Sequence, residues 1–87
     1  MASIEEVKAA LVQAAEQGNA TLNQIRSAAE QTEQVLTRLR GVAAGTNHGK
    51  VLEAIQRAEQ SRQRLHEAAT LIQGSATAAR EYAGILG

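Results

Sequence analysis

Small or apolar side chains recur every three or four positions along two long stretches of this chain, and that spacing dictates most of what it can become. In the first stretch they fall at Ile4, Val7, Leu11, Ala15, Gly18, Leu22, Ile25, Ala29, Thr32, Leu36 and Leu39. In the second they fall at Val51, Ile55, Ala58, Arg62, Leu65, Ala69, Ile72, Ala76, Ala79, Ala83 and Leu86. Such steps return a side chain to one face of an α-helix, so each row reads as the seam of a helix packed on another helix. From Leu11 to Leu22 the heptad slips once, which predicts a local unwinding of the supercoil near Gly18. No proline interrupts either stretch, although one interior proline costs a helix about 3 kcal/mol. No alternating run offers a strand. The chain is expected to be all-α.

The material for a core is scant. Eighteen of the 87 residues are alanine, and Tyr82 is the sole aromatic. Alanine buries little area, so the core must be thin, which suits closely packed helices. The length leaves room for a single domain over residues 1–87.

Ser3 followed by Glu6 forms the pattern of a capping box, with Glu5 and Glu6 at the positive end of the helix dipole. Arg38 and Arg40 followed by Gly41 signal the other end. Helix 1 is therefore expected over about 4–40. The cluster from Gly41 to Gly49 is the turn, about 41–48, with Thr46 or Asn47 capping helix 2 over about 49–86. Folding at about Gly45 sets Leu36 against Ile55, Ile25 against Leu65, Leu22 against Ala69 and Gly18 against Ile72. Large residues then repeatedly face small ones. The two seams agree only in an antiparallel two-helix hairpin, with arms about 60 Å long. Leu22, Ile25, Leu36, Ile55, Leu65 and Ile72 are the large residues expected to be buried.

Val12, Val35, Leu52, Leu71, Tyr82 and Ile85 lie beside the seams and widen the apolar stripe beyond what one partner helix covers. They are the candidate interface, and the hairpin is expected to dimerise into a four-helix bundle. Residues 1–37 carry a net charge of −3 and residues 38–64 a net +4. Two rods lying antiparallel would bring basic tip beside acidic open end. Arg62, on the seam, is expected either to reach water along its stem or to pair with Glu30 or Glu33.

Chemistry finds little to use. Gly45-Thr46-Asn47-His48-Gly49-Lys50-Val51 fails as a phosphate loop: its glycine spacing is short, Val51 stands where a hydroxyl is needed, and a helix precedes it. His48 and His66 are eighteen residues apart and read as surface histidines, so no metal or other cofactor is expected. Asn19-Ala20-Thr21 matches a glycosylation acceptor by chance, in mid-helix. With no cleft between two helices, the chain is not expected to be an enzyme. Cysteine is absent, and formal net charge is zero, which argues against nucleic acid as partner. Met1-Ala2-Ser3-Ile4-Glu5-Glu6 is followed by no apolar leader, so the expected location is cytoplasmic, or exported without a cleavable signal peptide.

A helix–glycine turn–helix layout of this length resembles the small secreted hairpins of the WXG100 (ESX) type, in architecture over the whole chain. That family carries Trp-Xaa-Gly in its turn, where this chain has Gly41-Val42-Ala43-Ala44-Gly45. Its export signal is a Tyr with an acidic residue four positions on, where this chain has Tyr82 and Leu86. The chain is also similar to the Ala/Gln-rich helical hairpins of actinobacteria. The expected function is a non-catalytic protein–protein interaction module forming a homodimer or pairing with a related helical protein, as an adaptor or secretion-associated partner. The alternative is an amphipathic membrane-surface or lipid-binding protein, disfavoured by Gln- and Glu-rich polar faces without Trp or Phe anchors.

Overall fold

The computed structural model describes residues 2–87. Two α-helices account for nearly all of them, α1 over Ile4–Ala43 and α2 over Gly49–Ile85. They fold back on each other into an antiparallel hairpin measuring 63 × 18 × 15 Å. That length matches a 40-residue helix at about 1.5 Å per residue. The cross-section is one hairpin wide and one helix thick.

α1 begins as its sequence directs: the Ser3 hydroxyl accepts the Glu6 backbone N–H at 3.1 Å. Its other end departs from expectation. The helix runs through Gly41 to Ala43 before Ala44 caps it. Gly41 has no positive φ, and Ala43 is half-buried, extending the seam by one more four-residue step. Packing of that extra turn outweighs the roughly 1 kcal/mol that a glycine costs in a helix interior. The connection thus shrinks to residues 44–48.

The cap of α2 is also not the expected one. Neither Thr46 nor Asn47 fills the position; His48 does, its Nδ1 accepting the Lys50 N–H at 3.1 Å. Thr46 acts one step earlier, its hydroxyl accepting the His48 N–H at 3.3 Å. The midpoint of the turn is therefore Thr46, one residue beyond the expected Gly45.

All the seam positions read from the sequence except Ile4 are buried or half-buried, and Ile4 is 63% exposed. Gly18 nests between Ile72 and Ala76, as a fold point at Thr46 requires. α1 continues through this glycine without a break. The depth of the core differs from expectation. Among the large described residues only Leu22 and Leu36 are buried, beside Ala15, Gly18, Ala76 and Ala83. Ile25, Ile55, Leu65 and Ile72 are only half-buried. Each seam residue has one helix facing it and water on both flanks, so only a position centred on the contact is covered fully.

Candidate interaction surface

A rod one hairpin wide has two long edges, and here they differ in kind. On α1, Asn19, Arg26, Glu33 and Arg40 recur every seventh residue and so share one side of the seam. Three of them reach α2. The Arg62 guanidinium donates to Glu33 Oε1 at 2.6 Å, settling Arg62 on the second of its two expected partners. Arg40 Nη2 donates to Glu59 Oε1 at 3.5 Å. The Asn19 amide oxygen, in the orientation that satisfies both groups, accepts from the Arg80 guanidinium. Two of these polar ties lie in the turn half and one in the open half. Between them lies a shallow hollow with Ile25, Ala29, Leu65 and Ala69 in its floor and Arg26, Glu30, Glu33 and His66 around it.

Two residues further along a helix is roughly 200° of rotation, enough to carry a side chain across the seam. Each laced residue is followed, two positions on, by an uncharged one. Thr21, Ala28, Val35 and Val42 therefore form the opposite edge of α1, continued toward the open end by Ala14 and Val7. On α2 the same edge carries Ala54, Ser61, Ala68, Ser75 and Tyr82. Neither row contains a formal charge. Thr21, Ala28, Ala54 and Ala68 are half-buried at the seam margin, whereas Val35, Val42 and Tyr82 are each about half exposed.

The next row outward on α2 changes character along the rod. Toward the turn it presents Lys50, Arg57 and Arg64; toward the open end it presents Leu71, Ala78 and Ile85. Leu71 and Ile85, 74% and 77% exposed, are the most exposed large apolar side chains on the molecule's described surface. On α1 the matching outer row is Ala10, Gln17, Gln24, Gln31 and Arg38.

The six candidate interface residues accordingly do not form one surface. Val35, Tyr82, Leu71 and Ile85 gather on and beside the uncharged edge. Val12 and Leu52 lie on the laced edge, in register with Asn19 and Glu59 respectively, and near opposite ends of the rod. Val42 is not legible as an edge residue in the sequence, because Gly41 reads there as the helix end; only the extra turn brings it onto the edge. Nor is the rim formed by Arg38, Arg57 and Arg64 legible there.

Charge along the rod follows the pairing of the helices. The turn half, residues 28–64, holds Arg38, Arg40, Lys50, Arg57, Arg62 and Arg64 against Glu30, Glu33, Glu53 and Glu59, a net +2. The open half holds Lys8, Arg26 and Arg80 against Glu5, Glu6, Glu16, Glu67 and Glu81, a net −2. Glu30 and Glu33 fold back beside the basic part of α2, so the dipole of the folded rod is weaker than the chain segments suggest.

Among the described residues no group of three or more His, Asp or Glu side chains is placed to hold a metal ion. No described helix is long and apolar enough to cross a membrane. No family model matches the chain, and no curated protein or solved structure matches it.

Proposed function

We propose that the hairpin is a non-catalytic interaction module whose uncharged edge packs against further helices, from a second copy or a related helical protein, in a four-helix bundle. It would serve as an adaptor or as a secretion-associated partner. One observation carries this reading. The chain exposes 6379 Å², whereas a compact monomer of 9.2 kDa exposes about 4,900 Å². The surplus is roughly 1,500 Å², more than the ~800 Å² per partner of a standard stable interface. Five large apolar side chains on or beside the uncharged edge, Val35, Val42, Leu71, Tyr82 and Ile85, are about half exposed or more. A patch of that kind on a thin core marks an association surface.

Light scattering and thermal melting test the proposal together. At micromolar concentration the chain is expected to associate, or, left alone, to melt broadly without a cooperative transition. Changing Val35 and Leu71 to Ser should abolish association. Replacing residues 45–48 by a neutral Gly/Ser turn should leave it intact. A stable monomer that melts cooperatively and binds no helical partner would sink the reading.

A further inference from the structure

The turn half of the uncharged edge has the form of a trough. Its floor is Val35 and Val42 from α1 and Ala54 from α2, bordered by the half-buried Ala28 and Ala68. Its walls are cationic on both sides. Arg38 stands on α1 one turn from both Val35 and Val42, and Arg57 and Arg64 stand on α2, bordering a hollow with Ser61 between them. Their availability differs. Arg57 is tied to Glu53 at 3.0 Å, but among the described residues neither Arg38 nor Arg64 has a carboxylate partner. The other two arginines of this half do not compete for a ligand here. Arg40 and Arg62 spend their charge on the laced edge.

We infer that this trough seats an acidic amphipathic helix of another protein, its apolar stripe on Val35, Val42 and Ala54 and its flanking carboxylates against Arg38 and Arg64. This rests on the reading of the hairpin as an interaction module and names the chemistry of its partner. The floor spans Ala28 to Val42, about 21 Å at 1.5 Å per residue, which sets the docked segment at about four turns. An apolar floor with charged rims is the arrangement that receives a helix by its 3–4 spaced anchors. The opposite sign on the partner's flanks fixes orientation and repels the wrong ones.

A second copy is the poorer occupant. Laid antiparallel on the same edge, it sets its open half here, and the outer row of that half is Leu71, Ala78 and Ile85. Arg38 and Arg64 would then face those apolar side chains or the uncharged Ala10, Gln17 and Gln24 of the copy's α1, with the copy's Glu67 and Glu81 one row further out on α2. Nor does the trough suit single-stranded nucleic acid, since Tyr82, the one aromatic, lies at the far end of the rod and no ring is present for bases to stack on.

Three synthetic 18-residue peptides test the assignment by fluorescence anisotropy and amide chemical-shift mapping. The first has a leucine stripe flanked by Glu, the second the same stripe flanked by Lys, and the third has Glu flanks with the leucines changed to Ala. Only the first should bind, weakening as salt is raised and shifting amides of residues 28–42 and 54–68. The double variant Arg38→Glu/Arg64→Glu should lose about tenfold in affinity for the first peptide and gain affinity for the second. That gain cannot come from unfolding. Equal binding of the first two peptides, or binding of the third, would overturn the inference in favour of plain greasiness or plain anion attraction. So would loss of self-association in the arginine variant without any peptide binding, which would make a second copy the occupant. In each of these cases the hairpin still associates, and only the partner assignment falls. If the chain is instead a stable, cooperatively melting monomer that ignores all three peptides, the interaction reading itself falls.

Discussion

Gly18 faces Ala76 so closely that a Cβ placed on the glycine would lie 3.3 Å from the alanine methyl carbon. The obstacle is a Cβ, which cannot rotate away, so the two helices would have to part by a few tenths of an ångström. Separation of that size weakens dispersion contacts along the neighbouring seam.

Gly18→Ala should therefore forfeit the gain of about 1 kcal/mol that replacing a helical glycine normally brings. Gly74 is the control. It lies inside α2 with nothing within 4 Å of its added Cβ, and Gly74→Ala should stabilise by about that amount. Urea melts of the two variants should differ by roughly 1 kcal/mol. Equal gains would show that the helices do not meet at Gly18.

Among the described residues Leu36 is the one large side chain that is fully buried. Leu36→Ala should cost about 2–4 kcal/mol. Leu65, on the same seam but half-buried, should cost only about 1 kcal/mol for the same change. Reversal of that order in chemical denaturation would mean that the register is displaced.

The His48 cap is improvable. Its imidazole holds a position for which Asp and Ser are the better residues, and the first turn of α2 has no acidic side chain. His48→Asp should raise stability by about 0.5–1 kcal/mol through the cap and the helix dipole together. A loss of stability would show that the imidazole has a role beyond capping.

Glu53 is clasped from both sides on α2, by Lys50 at 3.0 Å and by Arg57 at 3.0 Å. Lys50 first and Arg57 second hold its carboxyl below the ordinary 4.5, with a small opposing push from burial. The folded chain therefore releases this proton more readily than the unfolded one. The stabilisation is complete above the ordinary glutamate value and is lost as pH falls through the lowered one. Carboxyl-carbon NMR should place the Glu53 midpoint below 4.5, and Glu53→Gln should flatten the acid limb of α2 helicity. A midpoint at or above that value would mean the clasp does not persist in solution.

The sequence disclosed the seams because helix packing leaves a periodic mark on residue type. From that mark the all-α hairpin and its antiparallel sense could be read, while Arg62 stayed open between water, Glu30 and Glu33 until the structure placed it on Glu33. Gly41 misled because its cost in a helix is local, whereas the packing of Ala43 that offsets it depends on the other helix. The His48 cap was invisible for a similar reason: Thr46 and Asn47 are the better capping types, and only the length of the connection decided against them. The division of the interface candidates between two edges was within reach of the spacing but not of the stripe's width. Val12 and Val35 lie 23 residues apart, on opposite flanks of one seam, and in an antiparallel pair like flanks meet.

One seam, closed at Thr46, also fixes how the molecule comes apart. The residues it brings together grow steadily more distant in sequence away from the turn: Arg40 and Glu59 are 19 positions apart, Arg62 and Glu33 are 29. Every pair further out closes a longer loop, so the chain should zip from the turn outward, and amide exchange should be slowest near Leu36 and quickest at Ile4 and Ile85. Tension on the two helix ends at the open side would load the seam one layer at a time, peeling the helices apart instead of shearing them. Such a hairpin resists sideways pull along its length and yields readily at its mouth, until something laid along its edge grips both arms at once.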